Sequence, residues 1–288
     1  MTFRSCRAGS NQTMTMQGLN HLKMKTFFSC NILTNLMIEH TFIILHGIGT
    51  ATEKRLWQKG ILTWEDFIST KKIKRISSKR KGNYNHKLVE ANENLKNENS
   101  TYFSHCLHPK EHWRLYEKWK DTACFLDIET TGLSHGITVV GIYSQDEYKY
   151  YVRGINLERE ILQQELEKYN MLVTFYGRAF DMPFIERELG ITLDVPHLDL
   201  CFAGKKIGLT GGLKKVEVVM GIKREEDIKG LNGFDAVRLW NQYERGDKDA
   251  LDLLIKYNMA DTVNLRVLAD TIYDKLKEKT LLCWQEAL

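Results

Sequence analysis

The chain predicts an α/β protein, a mixed β-sheet flanked by helices with a small helical module in front of it. Three observations carry that prediction. Residues 122–152 hold three short apolar runs separated by turn signals, which reads as a meander of strands. Beyond residue 156, strands and amphipathic helices alternate, as they do where crossovers join strands of one sheet. Between residues 37 and 82, short helical stretches break at glycines and end in a dense basic run.

The 288 residues suit one sizeable domain plus a small one, and a hydrophobic fraction of 43% suffices for a packed core. No uncharged apolar stretch approaches the roughly 18 residues of a membrane span. The cysteines, at 6, 30, 106, 124, 201 and 283, contain no C-x-x-C pair. Neither a zinc site nor a disulfide framework is therefore expected, and reduced thiols in a cytoplasmic protein fit. Residues 1–120 carry 20 Lys+Arg against 9 Asp+Glu, net +11, and the rest carry 21 against 28, net −7. A basic half beside an acidic half suggests a polyanion-binding arm on a metal-binding body.

Residues 1–36 are polar and aperiodic and read as a disordered tail; Met37, just before the first periodic segment, is a candidate start. A native N-terminus at Met1 by mass spectrometry would exclude that start. In 37–82, Thr41–Leu45 leads into His46-Gly47-Ile48-Gly49, a helix through Lys59, then Gly60-Ile61 and a second helix from Thr63. Thr63 and Asp66 have capping-box spacing. Gly47 and Gly49, flanking Ile48, can turn backbone N–H groups outward as an anion nest, and the segment resembles a helix-hairpin-helix module that grips a phosphate. A small hairpin used for protein contact is the plainer reading. A dinucleotide fingerprint fails because its last position is Thr52. Lys71, Lys72, Lys74, Arg75, Lys79, Arg80 and Lys81 extend the same positive surface, although charge runs are usually only solvated faces.

Residues 82–100 contain six asparagines and read as a linker or a poorly packed helix. Trp113, Leu115, Tyr116 and Trp119 form an apolar stripe at near-helical spacing, better suited to packing on the body than to stacking bases. The expected divisions are thus a tail (1–36), a helical module (37–82), a linker with a packing helix (83–120), the catalytic body (121–280) and a short tail (281–288).

Within the body, strands are expected at 122–128, Ile137–Tyr143 and Tyr148–Val152, with a turn at Ser144-Gln145-Asp146. A helix over Leu157–Tyr169 takes Asn156 as its N-cap. A buried strand at Met171–Phe175 precedes a helix from Pro183 to Leu189, ended by Gly190. A strand near His197–Cys201, a glycine-rich loop and several helices complete the chain.

Four acids stand out. Asp127 and Glu129 lie two apart on the first strand, so both carboxylates share a face, roughly 7 Å apart along the chain. Paired acids at the end of a buried strand repel unless a cation joins them, and hard divalent ions prefer such oxygens. An exposed face with two solvated acids has the same spacing. Asp181, between a strand and a Pro-started helix, reads by itself as an N-cap. Tyr257 and Asp261 are one helical turn apart on one face, where an aromatic is ordinarily a packing residue.

Together these stretches resemble the DEDD superfamily of 3′→5′ exonucleases, of ribonuclease-H-like fold. Phe125-Leu126-Asp127-Ile128-Glu129-Thr130-Thr131-Gly132 matches the first motif, Phe180-Asp181-Met182-Pro183-Phe184-Ile185 the second, and Tyr257-Asn258-Met259-Ala260-Asp261 the third. The resemblance implies metal ligands Asp127, Glu129, Asp181 and Asp261, with Tyr257 orienting the attacking water. The histidine subclass would need His where Lys256 stands. More narrowly, Trp113-Arg114-Leu115, His197-Leu198-Asp199-Leu200, Gly211-Gly212-Leu213-Lys214 and Leu239-Trp240 resemble the YprB-like group of predicted nucleases. The similarity covers about residues 105–275 and departs at Tyr176, where the second motif usually has Asn.

The resemblance implies two Mg²⁺ or Mn²⁺ ions and cleavage of single-stranded DNA or RNA from its 3′ end. It implies no membrane partner. A non-catalytic nucleic-acid adaptor that keeps the fold is the alternative. The loop Gly204–Gly212 is not a Walker A sequence, so nucleotide-triphosphate hydrolysis is not expected. His197 and Asp199 read as strand residues satisfied by local hydrogen bonds.

Overall fold

Ala123–Thr130 is apolar except for its acids and its closing threonine, and it forms strand β1 at the centre of a five-stranded sheet. The computed structural model of the chain describes residues 36–132 and 136–285; the tail expected at 1–36 lies, except for Leu36, outside them. Ile137–Ser144 (β2) and Glu147–Val152 (β3) complete an antiparallel meander. The β2–β3 turn is Gln145-Asp146, both at positive φ (50° and 63°), as a two-residue hairpin turn requires. Met171–Thr174 (β4) and His197–Asp199 (β5) add in parallel on the other side, giving the order β3-β2-β1-β4-β5.

Before the sheet come α1 (Thr50–Trp57), α2 (Trp64–Ser69), α3 (Ser78–Lys96), α4 (Ser100–Cys106) and, after a 3₁₀ stretch over Pro109–Leu115, α5 (Tyr116–Trp119). The capping box of α2 forms, with Thr63 Oγ1 accepting from the Asp66 N–H and Asp66 accepting from the Thr63 N–H. The asparagine-rich stretch lies mostly in α3, and the division expected at 82/83 falls inside that helix. Tyr84, Leu88, Ala91 and Leu95, at alternating spacings of four and three, give it one buried stripe.

From Met37 onward the chain packs as one compact unit. Arg114 Nη2 meets Glu53 Oε2 at 3.0 Å with both side chains buried, and Glu53 Oε1 also accepts from the Phe42 N–H at 2.7 Å. Trp113, Leu115, Tyr116 and Trp119 are all buried, and the Trp113 and Tyr116 rings contact that of Tyr273. The packing use expected of this stripe is the one observed.

The two faces of the sheet carry different helices. Cys124, Leu126 and Ile128 pack with Leu162 and Leu166 of α6 (Arg159–Leu166) and with Phe184 and Ile185 of α7 (Asp181–Leu189). After β5 follow α8 (Leu200–Lys205), α9 (Leu213–Met220), α10 (Gly233–Glu244) and α11 (Lys248–Gln285). Val139 and Val152 on the opposite face pack with Leu239 and Trp240 of α10 and with Leu254 and Tyr257 of α11. Asp127 and Glu129 alternate with Leu126 and Ile128 and so belong to that second face.

Three expectations shift. Asn156 does not cap α6, which starts two residues later than expected; its side chain accepts from the Val152 N–H at 2.7 Å and closes the turn after β3. Asp181 is not an N-cap but the first residue of α7, and Phe180 stands at the cap. The last strand stops at Asp199, whose carboxylate accepts from the Cys201 N–H and caps α8, so Cys201 is helical.

Candidate metal centre

Asp127 and Glu129 sit near the carboxyl end of β1, and α11 crosses over them because β2 carries Gly141 opposite Asp127. A Cβ at Gly141 would lie 1.8 Å from Asn258 Oδ1. That close approach lets Asn258 Nδ2 donate to Asp127 Oδ2 at 2.9 Å and face Glu129 Oε1 at 3.4 Å. Asn258 Oδ1 in turn accepts from the Tyr148 hydroxyl at 2.8 Å. One turn along α11, Asp261 completes a triad: Asp127, Glu129 and Asp261 each offer a carboxylate oxygen, all within 4.8 Å of one another.

Glu129 and Asp261 are buried and Asp127 is partly exposed. Burial, and then the charges of Asp261, Glu129 and Asp181, hold Asp127 well above the usual carboxylate range. Burial, followed by Asp261, pushes Glu129 up to about 8. Such a cluster carries uncompensated charge that a divalent cation would relieve, and an all-oxygen donor set suits Mg²⁺ or Mn²⁺. The residues therefore fit the metal that their pattern implies.

Two cations of the chain already lean on the triad. Lys214 of α9 and Arg224 both pair with Asp261 Oδ1, and Arg224 Nε is held by Glu217 Oε2 at 2.7 Å. Lys214 Nζ also lies 4.3 Å from the centre of the Tyr257 ring. Tyr257 is buried in the core under α10, and burial, then Asp261, raises its phenol above the ordinary range.

Asp181 stands beside the triad rather than in it. Its Oδ1 accepts from the Ile128 N–H at 3.2 Å, between the two acids of β1, and burial raises it to about 7. His197 and Asp199 are satisfied locally: His197 Nε2 pairs with Thr174 Oγ1 at 2.8 Å, and Asp199 accepts from the N–H groups of Tyr176, Arg178 and Cys201.

Of the residues expected to bind phosphate, Gly47, Lys74, Arg75 and Arg80 line a cavity that shares no residue with the triad. The cavity has a volume of about 400 Å³, and Arg55 and Lys59 also line it, among others. Gly47 has φ +77°, and Gly49, at the N-cap of α1, has ordinary extended backbone and does not line the cavity. Lys71, Lys72 and Lys79 are exposed. Lys81 turns inward, with Nζ on Asn85 Oδ1 at 2.6 Å and 4.8 Å from the Phe67 ring centre.

Sequence reasoning overlooked Asn258, Gly141, Tyr148 and Arg224. An isolated glycine inside an apolar strand does signal close backbone approach, so Gly141 was detectable. Arg224 reaches Asp261 from 37 residues away with no local pattern to announce it.

A model of the RNase_H superfamily matches residues 124–273, just over half of the chain and all of the acids above. No curated protein and no solved structure matches.

Proposed function

Because the chain belongs to the RNase_H superfamily, we propose that it is a metal-dependent nuclease, a 3′→5′ exonuclease that hydrolyses single-stranded DNA or RNA. The observation that carries this reading is the convergence of Asp127, Glu129 and Asp261 from a strand and a helix to within 4.8 Å. Two divalent ions, when bound, supply an activated water and charge stabilisation at the leaving 3′ oxygen. Asp127, Glu129 and Asp261 would hold them, with Asp181 completing the set. Asn258 fixes the rotamers of the two strand acids, so the ligand oxygens are preorganised. Tyr257 would orient the attacking water, and Lys214, whose Nζ lies 4.3 Å from the centre of the Tyr257 ring, would meet the negative charge that develops on the scissile phosphate. The groove beside Gly47, with Lys74, Arg75 and Arg80, supplies affinity for the backbone.

A second reading, a non-catalytic nucleic-acid adaptor, draws on one observation: Lys214 and Arg224 already neutralise Asp261. It explains less, since among the described residues neither Asp127 nor Glu129 forms an ion pair with a lysine or arginine, and two desolvated carboxyls would be costly to keep for structure alone.

The test is a side-by-side digestion of 5′-labelled linear strands and internally labelled circular strands, DNA and RNA, with Mn²⁺. Stepwise shortening of linear strands, intact circles and no product from Asp127→Ala are expected. Circles cut as fast as linear strands would make the enzyme an endonuclease, and full activity in Asp127→Ala or in excess chelator would refute the metal mechanism.

A further inference from the structure

We propose that Tyr176 and Phe202 form a stacking platform for an unpaired nucleobase beside the acid cluster, an inference that rests on the nuclease reading above. Tyr176 has φ +68°, a region that bulky L residues rarely enter. Core packing does not hold it there, because its side chain is 48% exposed. The backbone is instead clamped from below. The Tyr176 and Arg178 N–H groups donate to the two oxygens of Asp199 at 3.0 and 3.1 Å, while the Tyr176 carbonyl accepts from the N–H groups of Ala179 and Phe180. A carboxylate spent on fixing this turn, with an aromatic ring left in solvent at its apex, suits a ring that is being presented.

The ring has a partner. Phe202, on the first turn of α8, is 39% exposed, and its centroid lies 6.0 Å from that of Tyr176 at an interplanar angle of 36°. Lys205 Nζ lies 5.1 Å from the Phe202 centroid, placing a cation at the edge of the pair. Two adjacent half-exposed rings beside a lysine offer what single-stranded nucleic acid needs: a face for any base and a charge for its phosphate.

The platform also stands in the right place. β1 and β4 run parallel with Phe125 opposite Val173, and Thr174 pairs with Asp199. Tyr176 therefore leaves the carboxyl end of β4 and Phe202 follows the carboxyl end of β5. Asp127 and Glu129 lie at that same end of β1, and neighbouring strands are about 4.8 Å apart. The turn that begins at Tyr176 ends at Asp181. A base stacked on the platform brings its own phosphate toward the triad.

Tyr176→Asn is the informative variant, because Asn tolerates positive φ and so removes the ring without disturbing the turn. The measurement is equilibrium binding of 5′-labelled dT10 and U10 by fluorescence anisotropy, with Ca²⁺ in place of Mn²⁺, using intact and 3′-terminal abasic strands. Tyr176→Asn should weaken binding of intact strands about tenfold, Tyr176→Trp should retain it, and removing the terminal base should cost wild type a similar factor. The same removal should cost Tyr176→Asn little, since the two losses share one contact. Affinity of Tyr176→Asn within twofold of wild type, equal abasic losses in both proteins, or a wild type that binds neither strand would overturn the platform. The expected coupling in a protein that never shortens a strand with Mn²⁺ would support the platform and remove the nuclease reading instead.

Discussion

Asn258 shows how much of the site depends on one neutral side chain. It is fully buried, donates to one strand acid, faces the other and accepts from Tyr148, so its amide can neither rotate nor leave. The acids of the site keep protons that the unfolded chain would release. Glu129 is pushed up to about 8 and Asp181 to about 7, against roughly 4 for free carboxyls. Between about pH 4 and 8 the folded protein thus binds more protons than the unfolded one, and stability of the metal-free protein falls as pH rises. Divalent metal binds the deprotonated form and should offset that loss most at the upper end. Thermal melts from pH 5 to 8.5 should show a declining Tm without metal and the largest Mn²⁺ stabilisation near pH 8. Equal Mn²⁺ shifts at pH 5 and pH 8 would contradict the assignment. At this scale the sequence was legible where residues recur at strand or helix spacing, as Asp127 with Glu129 and Tyr257 with Asp261 do. It was silent on the contacts that Lys214 and Arg224 make with Asp261 across 47 and 37 residues.

The elements that carry the site follow from periodicity, and their exact meeting follows from a missing side chain. Strands β1 to β4 were readable because buried runs bounded by turns leave few alternatives. Boundaries slipped where side chains capture backbone groups: Asn156 on Val152, and Asp199 on Cys201. The contact of α11 with β2 was not readable, since it depends on Gly141 leaving room for Asn258 and Thr262. An added Cβ would meet Asn258 Oδ1 at 1.8 Å and Thr262 Oγ1 at 2.8 Å, both on buried residues. Gly141→Ala should therefore cost about 1–3 kcal/mol, as overpacking does, and weaken Mn²⁺ binding by displacing α11. Calorimetric melts and a Mn²⁺ titration check this, and a variant with wild-type Tm and wild-type affinity would show that α11 need not approach so closely.

At the scale of the whole molecule, charge and packing divide the chain differently. The counts, +11 for residues 1–120 and −7 for the remainder, were legible at once and suggested a polyanion-binding arm on a metal-binding body. The structure ties the basic segment down: Arg114 and Glu53 form a buried pair, and the Trp64 ring stacks on Phe103 at 6.5 Å. Cutting at residue 82 would split α3 and take Glu53 away from Arg114, leaving that guanidinium only its pair with Glu111. Pairs separated by 61 residues leave no trace in composition, which is why the counts alone could not show that the segment is built in. Charge still bears on function, because an acidic body accepts a polyanion only once its carboxylates are neutralised. Calorimetric titration of the full chain with Mn²⁺ at pH 8 decides whether the triad is a metal centre. Wild type should bind two ions per chain at submillimolar concentration, and Asp127→Ala should lose that binding while keeping its fold. No heat of binding in wild type up to millimolar Mn²⁺, or unchanged binding in Asp127→Ala, would contradict it.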